Sequence, residues 1–345
     1  MENVSSFFCL PVVKRDNGID LLRFIALIGV IIAHCRPLEL LLQLRQFDVP
    51  LMVILAAVSF SMSNNRKQES WFDYCVKRAK RLILPTWIFL TMYFLLFKED
   101  DTIVVITSYL LIWGIGYVWI IRVFFVVAVF APFLHRLTNS FASSVKFWLF
   151  ISFLLCCSEF LITLFQDQIN SSFIVKAIFV TLPYLLVYMV GLRITNARRT
   201  EILTVALLFA LIYVTIAIYL SSQCGEFVPN QVYKYPPGLY YISYALAVGL
   251  VLFALREKIS VCLSRLSARL CDVMCWVAQH TLWVYLWHIV FVIICGDITS
   301  AIGRFVCVVI GAVSCTYVQC LILKFLYRYI NNDSVKKNLR IIFEG

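Results

Sequence analysis

Residues 19–36 read IDLLRFIALIGVIIAHCR. From Ile19 to Cys35 the stretch is apolar except at Asp20, Arg23 and His34. Its length fits the roughly 17–25 residues with which a helix crosses a bilayer. A helix turns about 100° and rises about 1.5 Å per residue, so Arg23 and His34 fall within about 20° of one face, roughly 16 Å apart. Asp20 lies one turn before Arg23 and is placed to pair with it. Ionisable groups inside a span are costly and usually face a cavity or the bundle interior. The bland reading is an interfacial anchor plus a core histidine. The functional one is a helix face lining a tunnel, with Arg23 holding an anion or orienting the pair and His34 doing acid–base chemistry near neutral pH.

The rest of the chain supports a membrane setting. Of 345 residues, 62% are apolar and 14% charged, and mean hydropathy is +0.89. A soluble protein of this size lacks the polar surface to cover such a composition. Apolar runs recur at about ten places: 19–36, 47–63, 82–97, 115–134, 146–165, 173–191, 202–220, 239–255, 275–294 and 301–323. Stretch 102–114 is a further apolar segment, an eleventh span or a re-entrant piece, and short for a crossing. The first run keeps its charges and precedes no small-residue cleavage site, so it reads as a retained span. The fold class expected is all-α, a polytopic integral membrane bundle.

The net charge is +11. With the N-terminus cytoplasmic, most Lys and Arg fall on one side, including Lys14 and Arg15, Arg66 and Lys67, Lys77 to Arg81, and the basic tail after 325. Arg36, Arg45, Lys98, Arg122, Lys176, Lys234 and Arg304 fall on or near the other side. The positive-inside rule then gives N-in and C-in topology and accounts for the charge without nucleic acid. The outer connections are short: KEDD (98–101), QDQINSS (166–172) and SSQCGEFVPNQVYKYPPG (221–238). Most of the 13 Cys sit within apolar runs and act as small hydrophobes. No paired spacing suggests a metal.

Other polar residues gather at the ends of spans. Arg78 and Arg81 form an R-x-x-R pair in KRAKRLILP. Arginine forks grip phosphate oxygens, although positive-inside decoration explains them as well. YVWIIRVFF (117–125) sets Trp119 and Arg122 at an interface, where an aromatic and an Arg commonly serve as an anchor. HTLWVYLWHIV (280–290) carries His280, Tyr285 and His288. The two histidines are about 80° apart around the helix, so they need not share a ligand. KYPPGLYYISY (234–244), with Tyr235, reads as an aromatic belt or as a rigid lip against a sugar.

Together these segments resemble the acyltransferase-3 family of bacterial membrane O-acyltransferases, which modify sugars of O-antigen, capsule and related glycans. GIDLLRFIALIGVIIAH is similar to the family's G-hydrophobic-D-x-x-R opening, with R-x10-H from Arg23 to His34. KRAKRLILP is similar to its R-x-x-R followed by Pro, and YVWIIRVFF to its aromatic–Trp–x–x–Arg segment. HTLWVYLWH is similar to its S-x-x-x-Y-L-x-H signature, with Thr281 in place of Ser. The second span departs. VPLMVILAAVSFSMS offers Ala56 and Ala57 where a Ser-Gly pair is usual. No fused hydrolase-like domain is expected.

The resemblance implies a domain layout of a cytoplasmic segment at 1–18, a transmembrane acyltransferase domain at 19–325 and a basic cytoplasmic tail at 326–345. It implies an enzyme moving an acyl group, acetyl in most members, from cytoplasmic acetyl-coenzyme A or another acyl-coenzyme A, with no bound cofactor and no metal. The acceptor is a hydroxyl of a surface polysaccharide or its undecaprenyl-linked precursor, at a bacterial inner membrane. His34, Arg23 and Asp20 are the catalytic candidates, and Arg78 and Arg81 bind the donor's phosphates. Trp119, Arg122, Tyr285, His288 and Tyr235 are acceptor-side candidates. His34 acts as general base or carries the acyl group itself. The rival classes are a lipid-linked glycan exporter or polymerase, or another polytopic transporter. The former usually has more spans or a large Arg-rich outer loop, and the latter broken helices at matching places in two halves.

Overall fold

The computed structural model describes residues 16–64, 70–98 and 100–344. Most of the expected 1–18 segment, with Lys14 and Arg15, lies outside them, as do Arg66, Lys67 and Glu99. Helices account for the regular structure, and no strand is present among the described residues.

Helix α1 (Asn17–Ala33) opens under the Asp16 carboxylate, which accepts from the amides of Gly18 at 2.9 Å and Ile19 at 3.3 Å. This satisfies two of the amides that a helix start leaves without partners. It ends at His34, shortly before Pro37. Short α2 (Glu39–Leu44) leads into α3 (Asp48–Asn64). Helix α4 (Trp71–Phe97) carries Pro85 inside it, and Thr86 bonds back to the Leu82 carbonyl at 2.6 Å.

The apolar 102–114 stretch becomes α5 (Thr102–Tyr109), capped by Asp101. Eight residues are too few to cross a bilayer. The chain then turns through left-handed backbone at Leu111, Gly114 and Gly116. After it come α6 (Trp119–Asn139), α7 (Ser144–Leu164), short α8 (Gln166–Ser171), α9 (Phe173–Ile194) and α10 (Arg199–Cys224). The connection 225–238 contains a 3-10 turn at Asn230–Tyr233 and precedes α11 (Leu239–Leu266). Ser267 caps α12 (Ala268–Gln279), which meets α13 (Thr281–Ile294) at 86°. Ser300 caps α14 (Ala301–Leu326), and Asn332 caps α15 (Asp333–Phe343).

Each expected run coincides with helix, but the count is lower than read from sequence. Among the described residues seven helices are long and apolar enough to cross a membrane, or eight with the bent α12–α13 pair as one span. Helix α1, at 17 residues, is at the lower end of the crossing length. Lipid offers little hydrophobic drive for helix association, so close packing holds such bundles together. One close approach lies between α3 and α9. A Cβ on Gly191 would stand 2.6 Å from the Ile54 carbonyl oxygen and 2.7 Å from the Ala57 methyl. The small residue that this contact needs sits on α9, opposite the Ala56-Ala57 pair. Large apolar side chains such as Phe153, Phe160, Leu207, Ile218 and Ile310 stay exposed on the outside, as lipid contact requires. The tail expected after 325 is an amphipathic helix, docked where Phe343 stacks on Trp283 at 5.7 Å.

The candidate active site

Helices α1 and α3 run antiparallel, which places the polar residues of α1 at different depths. Near its start, Arg23 Nη1 donates to Asp20 at 2.8 Å and Nη2 to the Ser59 hydroxyl of α3. Asp20 is buried, so the pair is an internal clamp between two helices. Between Arg23 and His34, Leu27, Val30 and Ile31 are packed in the core.

His34 marks the other end. Its ring meets Tyr117 edge-on at 4.8 Å and His288 at 5.4 Å. His288 is fully buried on α13. Its Nδ1 bonds the Tyr285 carbonyl one turn earlier. A carbonyl only accepts, so Nδ1 carries the proton, and Nε2 has no partner among the described residues. Tyr285 donates from its hydroxyl to the Tyr117 carbonyl at 2.6 Å, fixing the connection before α6 over the histidines. The bend between α12 and α13 separates the two histidines of the HTLWVYLWH segment. His280 stacks on Trp276 at 4.4 Å, while His288 faces His34.

A buried ionic cluster that sequence reading did not single out lies around this pair. Asp48, at the first turn of α3, pairs with Arg45 and accepts from the Val49 amide at 2.7 Å. Lys234 approaches the same carboxylate to 4.0 Å and lies over the rings of Tyr235 at 5.6 Å and Tyr241 at 5.8 Å. Lys234 is held down to about 8, chiefly by burial; Asp48 pulls the other way and Arg45 pushes it further down. Gln46 donates to Gln231 at 2.6 Å, and the Asn230 amide donates to Gln43 at 3.0 Å. These bonds tie segment 43–48 to the connection before α11. Arg304 on α14 donates to the Val292 carbonyl at 2.9 Å, one turn beyond His288 on α13. The charges of Arg45, Lys234 and Arg304 all reach His34. Sequence reading filed these three as outer-side cations. The signals were Arg45 and Asp48 three residues apart, and Arg304 alone in a long apolar run.

The remaining candidates divide between two places. Trp119 and Tyr235 meet ring to ring at 5.2 Å. With Trp113, Gly116, Arg122 and Lys176 they line a cavity of about 240 Å³. Arg122 is less an interfacial anchor than a cap. Its Nη1 donates to the carbonyls of Leu111 and Ile112, both at 2.6 Å, and its Nε to Thr181 at 3.2 Å. Arg78 and Arg81 lie at the opposite end of the bundle from His34. There Phe60, near the end of α3, meets Tyr74 of α4 at 5.6 Å. The Arg78 guanidinium lies 4.9 Å over the Tyr74 ring, and Arg81 is exposed.

The family model described as an acyltransferase domain, acyltransferase-3, matches residues 16–324. The chain belongs to the acyltransferase-3 family. The match spans nearly all of the described helices, from the Asp16 cap to the last long span, α14. The protein is therefore a multi-pass membrane acyltransferase. No curated protein and no solved structure is significantly similar to it.

Proposed function

We propose that this acyltransferase moves an acetyl group from cytoplasmic acetyl-coenzyme A to a hydroxyl of a surface polysaccharide or its undecaprenyl-linked precursor, across a bacterial inner membrane. The observation that carries the reading is the setting of His34. It stands against His288 and Tyr117 at one end of a membrane bundle whose other end bears Arg78 and Arg81.

In this reading the N-terminus and the Arg78 end face the cytoplasm. Arg78 and Arg81 bind the donor's phosphates, and the thin pantetheine arm runs along α1 towards His34. That path requires Leu27, Val30 and Ile31 to part. The Asp20–Arg23 clamp holds α1 against α3 while they do. The acceptor comes from the other side, its sugar ring against Trp119 and Tyr235. His34 takes the hydroxyl proton as the oxygen attacks the thioester carbonyl. The carbon–sulfur bond breaks, and the leaving thiolate recovers the proton from His34. Alternatively His34 accepts the acyl group first and passes it on. His288, whose Nδ1 proton is committed to the Tyr285 carbonyl, presents Nε2 as an acceptor for a neighbouring hydroxyl of the same sugar, which orients the reacting one.

The test compares surface glycan from cells with the intact gene, a deletion and His34→Ala at equal expression. Base-labile O-acetyl signals are read by NMR. Their loss in both the deletion and the variant is expected. Unchanged acetylation with reduced glycan amount or chain length contradicts the reading.

A further inference from the structure

Arg304 has no assigned task. It lies within the first turn or so of α14, where the helix dipole opposes a cation. Its side chain is buried, 6% exposed. One nitrogen donates to the Val292 carbonyl at 2.9 Å. Its Nε and Nη1 have no hydrogen-bond partner among the described residues. Val292 lies one turn beyond His288, and the charge of Arg304 reaches His34, Cys35 and Tyr117. The guanidinium therefore lies near the His34–His288 pair. Asp48 is already shared by Arg45 and Lys234. Burying a cation without an opposing charge costs several kcal/mol. A guanidinium held in place by one nitrogen, with two others left to donate, suits a planar or tetrahedral oxyanion.

The inference rests on the acyl-transfer reading above, which puts the donor's phosphates at the far end near Arg78. An anion at the His34 end then comes with the acceptor. We propose that Arg304 binds a carboxylate or phosphate group of the acceptor, and that the acceptor is an acidic saccharide. Lys234, whose charge also reaches His34, adds to the field that draws such a molecule in. The neighbouring cavity at Trp119 and Tyr235 takes its neutral ring.

The test uses the purified full chain in nanodiscs, titrated with glucose, glucuronate, glucose 1-phosphate and inorganic phosphate. Thermal unfolding is followed by tryptophan fluorescence. A hydrogen bond to a charged group contributes about 1.5–3 kcal/mol, so an acidic sugar should bind about tenfold or more tightly than glucose. Arg304→Gln removes that preference and Arg304→Lys keeps part of it. Equal binding of glucose and both acidic sugars to the wild type overturns the proposal. So does a preference that survives in Arg304→Gln, or inorganic phosphate matching the sugars. The wild-type comparison decides even where Arg304→Gln does not fold. No step needs turnover, so the two readings fail separately. Continuous release of coenzyme A, far beyond one per protein, with no acceptor at all contradicts acyl transfer to sugars and leaves the charge preference standing. Equal transfer to neutral and acidic sugars contradicts the Arg304 proposal alone.

Discussion

At the scale of single residues, the unusual feature is how much charge lies near His34. Asp48 neutralises Arg45 and opposes Lys234. Asp48→Asn leaves two buried cations without a counter-charge and should lower stability by about 3–5 kcal/mol, seen as a fall in unfolding midpoint in detergent. Lys234 makes a pH prediction with opposite signs for stability and activity. Its ordinary value is 10.5, and the folded chain holds it at about 8. Between those values the unfolded chain keeps a proton that the folded chain has lost, so its contribution to stability rises with pH through that window. If its charge serves the acceptor end, transfer instead declines as pH passes about 8. Arginine stays charged there, so Lys234→Arg should move the alkaline limb upward. An unmoved limb removes Lys234 from that role. For His34→Ala, loss of general-base help predicts a fall of about 10²–10⁴-fold in coenzyme A release.

At the scale of elements, the sequence disclosed the helices better than their contacts. Apolar length located each long helix, and the R-x10-H spacing marked α1 because period alone sets its face. The bend between α12 and α13 was not legible. No proline or glycine stands at Gln279–His280, and the break appears only when His280 stacks on Trp276. The same bend explains why His288 meets His34, a pairing that no count along the chain reveals. The Arg45–Asp48–Lys234 cluster was hidden for a similar reason. Lys234 is far in sequence from Arg45 and Asp48, and each looks like an ordinary loop charge on its own. Opposite Ala57 it is Gly191 that makes the close approach, from the facing helix. Gly191→Ala should therefore cost about 1–3 kcal/mol by overpacking, again read from the unfolding midpoint. Helix α15 is held by Trp283 donating to the Ile342 carbonyl at 2.9 Å and Gln319 donating to that of Phe343 at 2.8 Å. Phe343→Ala removes a ring pair worth about 0.5–1.5 kcal/mol. Amide exchange within α15 should quicken accordingly.

At the scale of the whole molecule, the account depends on two ends. Arg78 and His34 lie at opposite ends of α3, whose Asp48 end touches the His34 cluster and whose Phe60 end touches Tyr74. The most direct measurement reconstitutes the protein in one orientation in sealed vesicles. Labelled acetyl-coenzyme A is placed on the Arg78 side and a membrane-impermeant saccharide acceptor on the His34 side. The account predicts acetylated saccharide on the His34 side from the wild type and none above background from His34→Ala. Product that forms only when both substrates share one side, or equally in His34→Ala, would contradict it.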